Sequence, residues 1–189
     1  LSRQNFCFPP RLTAKNIIFA FMSHNNDKRL FLIDAYAMIF RGYYALIRSP
    51  RITSDGKDTS AIFGFTNSLI ELIRRERPTH LAVVFDVGEA SVRTADFSDY
   101  KANRSETPEA IKIAIPYIHR ILEAMHVPIL GVEGYEADDV IGTIACKAEK
   151  EGYTTYMVTL DKDFAQVVTD KIKIYNSGLK GAEFEILGV

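Results

Sequence analysis

Seven carboxylates stand at or just behind short apolar runs of this chain: Asp34, Asp86, Glu136, Asp138, Asp139, Asp161 and Asp163. Taken singly, an aspartate that follows a strand is more often a helix cap or a turn residue than a ligand. Four successive apolar runs that all end in acids are a different matter, because clustered like charges repel unless a positive charge sits among them. A hard divalent cation suits such a set. Mg²⁺ takes oxygen ligands and keeps several waters, and Mn²⁺ accepts the same donors. Zinc fits less well, since the scattered His24, His80, His119 and His126 and the distant Cys7 and Cys146 offer no zinc-ligand spacing. Two ions about 4 Å apart can activate a water and stabilise the leaving oxygen of an in-line displacement, so phosphodiester hydrolysis is the expected chemistry.

The charge balance agrees. Lys and Arg number 23 against 24 Asp and Glu, a formal net charge of −1; setting the seven acids aside leaves +6 over the rest of the chain. A basic surface around an acidic pit suits a polyanionic substrate better than a neutral metabolite. The length of 189 residues fits one compact domain, and 47% hydrophobic residues suffice for a core. Two cysteines are too few for a disulfide framework, which points to the cytoplasm. No apolar run reaches the roughly 18 residues of a membrane span. Neither G-x-x-x-x-G-K-[ST] nor G-x-G-x-x-G occurs, so phosphate cradling by a glycine loop is not signalled.

The elements that would gather these acids are those of an α/β protein. Strands are expected at Arg29 to Ile33, His80 to Phe85, Pro128 to Val132, Thr155 to Leu160 and Lys171 to Tyr175, all reading as buried because they barely alternate. A helix is expected from Ala61 to Arg77, capped by Thr59 or Ser60 and stopped before Pro78. Thr107, Pro108 and Glu109 read as the cap, first residue and first-turn acid of another, running to about Met125 with Pro116 as the place for a kink. One more spans about Ala137 to Glu149 and stops near Gly152. Strands alternating with helices argue for a parallel sheet with helices on both faces, and in such sheets ligands bind at the carboxyl ends of the strands, where the acids fall. The polar connection from Val87 to Glu106 carries Arg93, Lys101 and Arg104 and is long enough to be functional. Residues 1–27 are expected to be a poorly ordered N-terminal extension. Its stretch Asn16 to Met22, after Arg3, Arg11 and Lys15, loosely imitates a signal peptide but is short and lacks a cleavage site, so residues 1–21 read as lying upstream of a natural start at Met22.

Three separated motifs then carry a family resemblance: GYEADDVIGT from Gly134 to Thr143, TLDKDFAQ from Thr159 to Gln166, and YKANR from Tyr100 to Arg104, with LFLIDAYAMIFRGYY from Leu30 to Tyr44 ahead of them. Over residues 28–189 the chain resembles the 5′-nuclease domain of bacterial DNA polymerase I, a member of the flap endonuclease superfamily. The resemblance implies a PIN-like fold, a central mostly parallel sheet with helices on both faces and an arch or clamp. It implies that the same seven acids bind two Mg²⁺ or Mn²⁺ ions, and that Lys101 and Arg104 lie near the scissile phosphate in the arch. Tyr100 and Arg93 are implied DNA contacts, the latter in Ser91-Val92-Arg93 where the family has T-F-R, and Phe40 is the implied ring for stacking on a base. The partner implied is DNA with a 5′ end or flap, in replication and repair, with a polymerase domain in the same natural chain and no membrane.

Family members continue into a helix-hairpin-helix region. This chain ends at Val189, so the expectation is a nuclease domain truncated before that region, weakly active or inactive alone. Two alternatives share the acidic pit: a nonenzymatic module that docks on branched DNA, and a PIN-type ribonuclease. Asp161-Lys162-Asp163 also imitates the D-x-D of haloacid-dehalogenase-type phosphatases, but there the motif opens the domain and a Thr or Val stands where this chain has Ala165.

Overall fold

Leu30, Phe31, Leu32 and Ile33 are all apolar and all buried, so the strand they form can only lie in a sheet covered on both faces. The computed structural model describes residues 28–87, 107–176 and, as backbone, 185–187. In chain order the elements are β1 (Arg29–Asp34), α1 (Ala35–Ala45), α2 (Ser60–Glu76), β2 (His80–Val84), α3 (Glu109–Ala124), β3 (Ile129–Leu130), α4 (Ala137–Lys150), β4 (Thr154–Val158), a 3-10 helix (Lys162–Val167), β5 (Ile172–Asn176) and β6 (Glu185–Leu187). The strands form one sheet of order β3-β2-β1-β4-β5-β6. The first five are parallel, and β6 runs antiparallel to β5. Strand order reverses between β1 and β4, which makes their carboxyl ends the crevice of this sheet.

Alternate residues of β1 and β2 feed two cores. Phe31, Ile33, Leu81 and Val83 face α1, α2 and α3, packing with Ile39, Phe65, Leu69, Ile111 and Ile118. Leu30, Leu32, Ala82 and Val84 face the other way, onto Val140, Ile141 and Ala145 of α4 and Phe164 of the 3-10 helix. On the first side α1 and α2 approach backbone to backbone. A Cβ on Gly64 would lie 2.6 Å from Cα of Gly42, and one on Gly42 would lie 2.8 Å from the carbonyl carbon of Gly64, so neither helix tolerates a side chain there.

Several boundaries differ from the expected ones. β3 shrinks to two residues; Gly131 beyond it lies so close to Phe85 and Val87 that a Cβ would meet Val87 Cγ2 at 2.3 Å. β4 ends at Val158, so Thr159 and Leu160 leave the ladder, and the three-residue β6 carries too short a signal to be read from sequence. Thr59 sits at the cap position of α2, but its hydroxyl donates to the carbonyl of Arg51 at 2.8 Å instead of capping the helix. Asp58 Oδ1 accepts from the Ser60 N–H at 2.8 Å in its place. At α3 the boundary residue is Pro108, not Thr107, and the helix runs unbroken through Pro116. α4 stops as expected, with Gly152 at φ 86°. The N-terminal extension 1–27 and the polar connection bearing Arg93, Tyr100, Lys101 and Arg104, with the expected arch, lie outside the described residues.

Candidate active site

Asp34 closes β1 and opens α1. Its Oδ1 accepts from the Ala37 N–H at 3.0 Å, satisfying a first-turn donor, so the bland role of helix cap is real. Its Oδ2 faces β4, where Thr159 Oγ1 donates to it at 3.3 Å. The same hydroxyl accepts from the Asp161 N–H at 3.2 Å, and Asp161 Oδ1 accepts from the Asp163 N–H at 2.9 Å, capping the 3-10 helix. One side of the crevice is thus a chain of hydrogen bonds from Asp34 through Thr159 to Asp161 and Asp163. Thr159 is 3% exposed and is not among the residues expected at the site; its signal in the sequence is a β-branched hydroxyl behind an apolar strand, two residues ahead of Asp161.

On the other side Asp86 lies two residues beyond β2 and its Oδ1 accepts from the Ala137 N–H at 2.7 Å, at the start of α4. Glu136 is the cap residue of that helix and is buried at 7% exposure; Asp138 and Asp139 occupy its first turn, where acids complement the helix dipole. Asp138 Oδ1 accepts from the Asp139 N–H at 2.7 Å.

The two sides are electrostatically coupled. Burial pushes the Asp34 carboxyl above the ordinary carboxylate range; the charges of Asp86 and Asp138 push it further, against the opposing hydrogen bonds from Ala37 and Thr159. Asp138, Asp139, Asp161 and Asp163 line a small cavity of about 60 Å³ together with Gln166. Asp138 therefore belongs both to the group around Asp34 and to the group around this cavity. The donors are all carboxylate oxygens, the chemistry a hard cation requires. Among the described residues, however, no three acids, histidines or cysteines are drawn together to metal-ligand spacing. A roomier cavity, about 390 Å³, lies elsewhere among the described residues, against α4, and its lining of Leu30, Leu130, Val140, Ile144 and Tyr153 is mainly apolar; of the seven acids only Asp139 borders it.

Phe40 is partly buried against the core, its ring 6.4 Å from that of Tyr36 and 6.2 Å from that of Tyr44, so Tyr44, 51% exposed, is the more open ring of the pair. No described helix is long and apolar enough to cross a membrane.

Residues 29–187 match the family model for the "5′-3′ exonuclease, N-terminal resolvase-like domain". The chain is 41% identical over 145 residues to DNA polymerase I of Mycobacterium tuberculosis strain H37Rv, covering 77% of this chain and 16% of the polymerase. It is 38% identical over 149 residues to the 5′-3′ exonuclease of Aquifex aeolicus, covering 79% of this chain and 51% of that protein. Among solved structures, the bacteriophage T5 D15 flap endonuclease in complex with DNA and metal ions superposes with a TM-score of 0.55 at 18% identity, over 78% of this chain and 54% of that one. At that identity the likeness speaks to the fold alone, and the fold is the PIN-like one of the 5′-nucleases.

Proposed function

The chain belongs to the family of 5′-3′ exonuclease N-terminal resolvase-like domains, and from that membership we propose that it is a divalent-metal-dependent 5′ nuclease that hydrolyses phosphodiester bonds at the 5′ ends or flaps of branched DNA. The observation that carries this is the gathering of Asp34 at the end of β1, Asp86 just beyond β2 and Asp138 in the first turn of α4 at the carboxyl edge of the sheet, near enough that the charges of Asp86 and Asp138 both bear on the Asp34 carboxyl. Asp34, Asp86, Glu136, Asp138, Asp139, Asp161 and Asp163 are the residues that would hold Mg²⁺ or Mn²⁺, as two ions in the complete domain. Bound there, the ions supply a lowered water pKa and neutralise charge at the phosphate. The capping hydrogen bonds hold Asp34, Asp86 and Asp161 in place before any cation arrives, so little reorganisation is left for binding. Lys101 and Arg104 are proposed to meet the charge that develops on the phosphate, Tyr100 and Arg93 to bind the strand, and Phe40 to lie against a base.

The nuclease unit spans residues 28–189 in this proposal, and it works in the cytoplasm in replication and repair. A polymerase domain of the same natural chain is its partner there, since the mycobacterial relative is a DNA polymerase I of which this chain spans 16%.

The test is incubation of the 189-residue chain, with Mg²⁺ or with chelator, with labelled 5′-flap DNA, 3′-flap DNA and a 5′-flap of RNA. Cleavage confined to the DNA 5′ flap, weak in this chain alone, dependent on Mg²⁺ and lost in Asp139→Asn, is the expected result. Tight binding to the flap with no product in Mg²⁺ would favour a docking module, and preference for the RNA flap a PIN-type ribonuclease.

A further inference from the structure

Asp34 and Asp86 are like charges at the ends of the neighbouring strands β1 and β2, and on its far side Asp86 is tied to the start of α4 by the Ala137 N–H, with Val87 bridging Glu133. An aromatic contact ties the same end of β2 to α1. Tyr36 lies in the first turn of α1, two residues past Asp34, and its ring meets that of Phe85 edge-on, with centroids 6.1 Å apart and planes at 75°. Phe85 immediately precedes Asp86 and is 4% exposed. Phe40, one turn along α1, lies 6.4 Å from Tyr36, and His119 of α3 lies 4.2 Å from Phe85. The four rings link α1, the end of β2 and α3 in a rigid brace beside the acids.

We propose that Tyr36 is a positioning residue: its ring, between Phe40 and Phe85, fixes the separation of Asp34 and Asp86 against their repulsion and so sets how tightly the acidic crevice takes a divalent cation. Such edge-to-face ring pairs resist displacement because a gap of roughly 0.5–1 Å already forfeits about a quarter to a half of the attraction. The inference rests on the cation site proposed above.

The experiment is calorimetric titration of Mg²⁺ into the full chain and its variants, with far-UV circular dichroism and flap-DNA affinity recorded alongside. Tyr36→Phe keeps the ring and should bind Mg²⁺ within about twofold of the parent, whereas Tyr36→Leu keeps an apolar side chain but not the ring and its edge contact, and should bind about tenfold more weakly or worse, as loss of outer-shell support for metal ligands does. Dichroism and flap affinity should be unchanged, which separates positioning from general damage. Should Tyr36→Leu fail to fold, Phe85→Leu removes the other half of the contact and must weaken Mg²⁺ binding by the same factor. Equal binding by the parent and a folded Leu variant overturns the brace alone, as does a loss in Tyr36→Phe equal to that in Tyr36→Leu. A parent that takes up no Mg²⁺ overturns the cation site and the brace with it.

Discussion

Asp86 Oδ1 accepts a 2.7 Å hydrogen bond from the backbone N–H of Ala137, so the carboxylate behind β2 closes the N-terminus of a helix that begins 51 residues later. This joint ties the end of β2 to the segment that carries Glu136, Asp138 and Asp139. Its geometry separates charge from support. Asp86→Asn keeps an oxygen for the Ala137 N–H and should melt close to the parent while losing cleavage. Asp86→Ala should lose cleavage and also about 1 kcal/mol of stability, the usual worth of a cap. Thermal melts beside flap-cleavage assays measure both.

Asp34 gives the clearest pH prediction. Its folded-state pKa lies above the ordinary 3.8, chiefly through burial and then through the charges of Asp86 and Asp138. The folded chain therefore binds the proton more tightly than the unfolded one, and the associated stability, complete below pH 3.8, is lost as pH rises through the raised value. At pH 7 and without divalent ions, Asp34→Asn should melt above the parent, because asparagine caps α1 as well as aspartate does and carries no charge. A gain of 1 kcal/mol would appear as about 2–4 °C. Added Mg²⁺ should raise the Tm of the parent and leave that of the variant nearly unmoved. A variant that melts below the parent at pH 7 would show that the Asp34 charge is already compensated in the fold.

Thr159 donates to Asp34 and accepts from the Asp161 N–H while buried at 3% exposure. Thr159→Val keeps the shape and orphans both partners, which should cost about 1–3 kcal/mol and raise the Mg²⁺ concentration needed for half-maximal cleavage. Thr159→Ser restores the hydroxyl and should recover most of both. Equal Mg²⁺ dependence in the valine and serine variants would reduce Thr159 to a packing residue.

Two glycines on helices should respond oppositely to alanine. At Gly64 the new Cβ would sit 2.6 Å from Gly42 Cα, backbone that cannot turn aside, so Gly64→Ala should destabilise by about 1–3 kcal/mol or more. At Gly142, within α4, a Cβ meets nothing within 4 Å, and Gly142→Ala should stabilise by roughly 0.5–1 kcal/mol. Denaturant melts of the two variants decide it.

Much of this was legible before any coordinates. The run Leu30–Ile33 ended by Asp34 announces a buried parallel strand with an acid at its carboxyl end, and the helical period of Ile62, Phe65, Leu69 and Leu72 fixes α2 to within a residue at each end. That strand ends gather ligands follows from the topology of parallel sheets, so Asp34, Asp86 and Asp138 could be nominated together. What stayed illegible depends on contacts between distant segments. Thr59 looks like a cap until the turn ahead of α2 brings the Arg51 carbonyl to its hydroxyl. Thr159 matters only because β4 lies beside β1, an adjacency that the order of elements along the chain does not dictate. Tyr36 gains a role only through Phe85, supplied from just beyond β2.

The reversal of strand order between β1 and β4 has a temporal consequence. Asp34 leaves the ribosome 125 residues ahead of Thr159, its neighbour across the crevice, and β4 must zip onto β1 before the two meet. A growing chain therefore carries only part of the acidic crevice until β4 and the acids behind it have been made, and the candidate site is incomplete for as long as the sheet is unfinished.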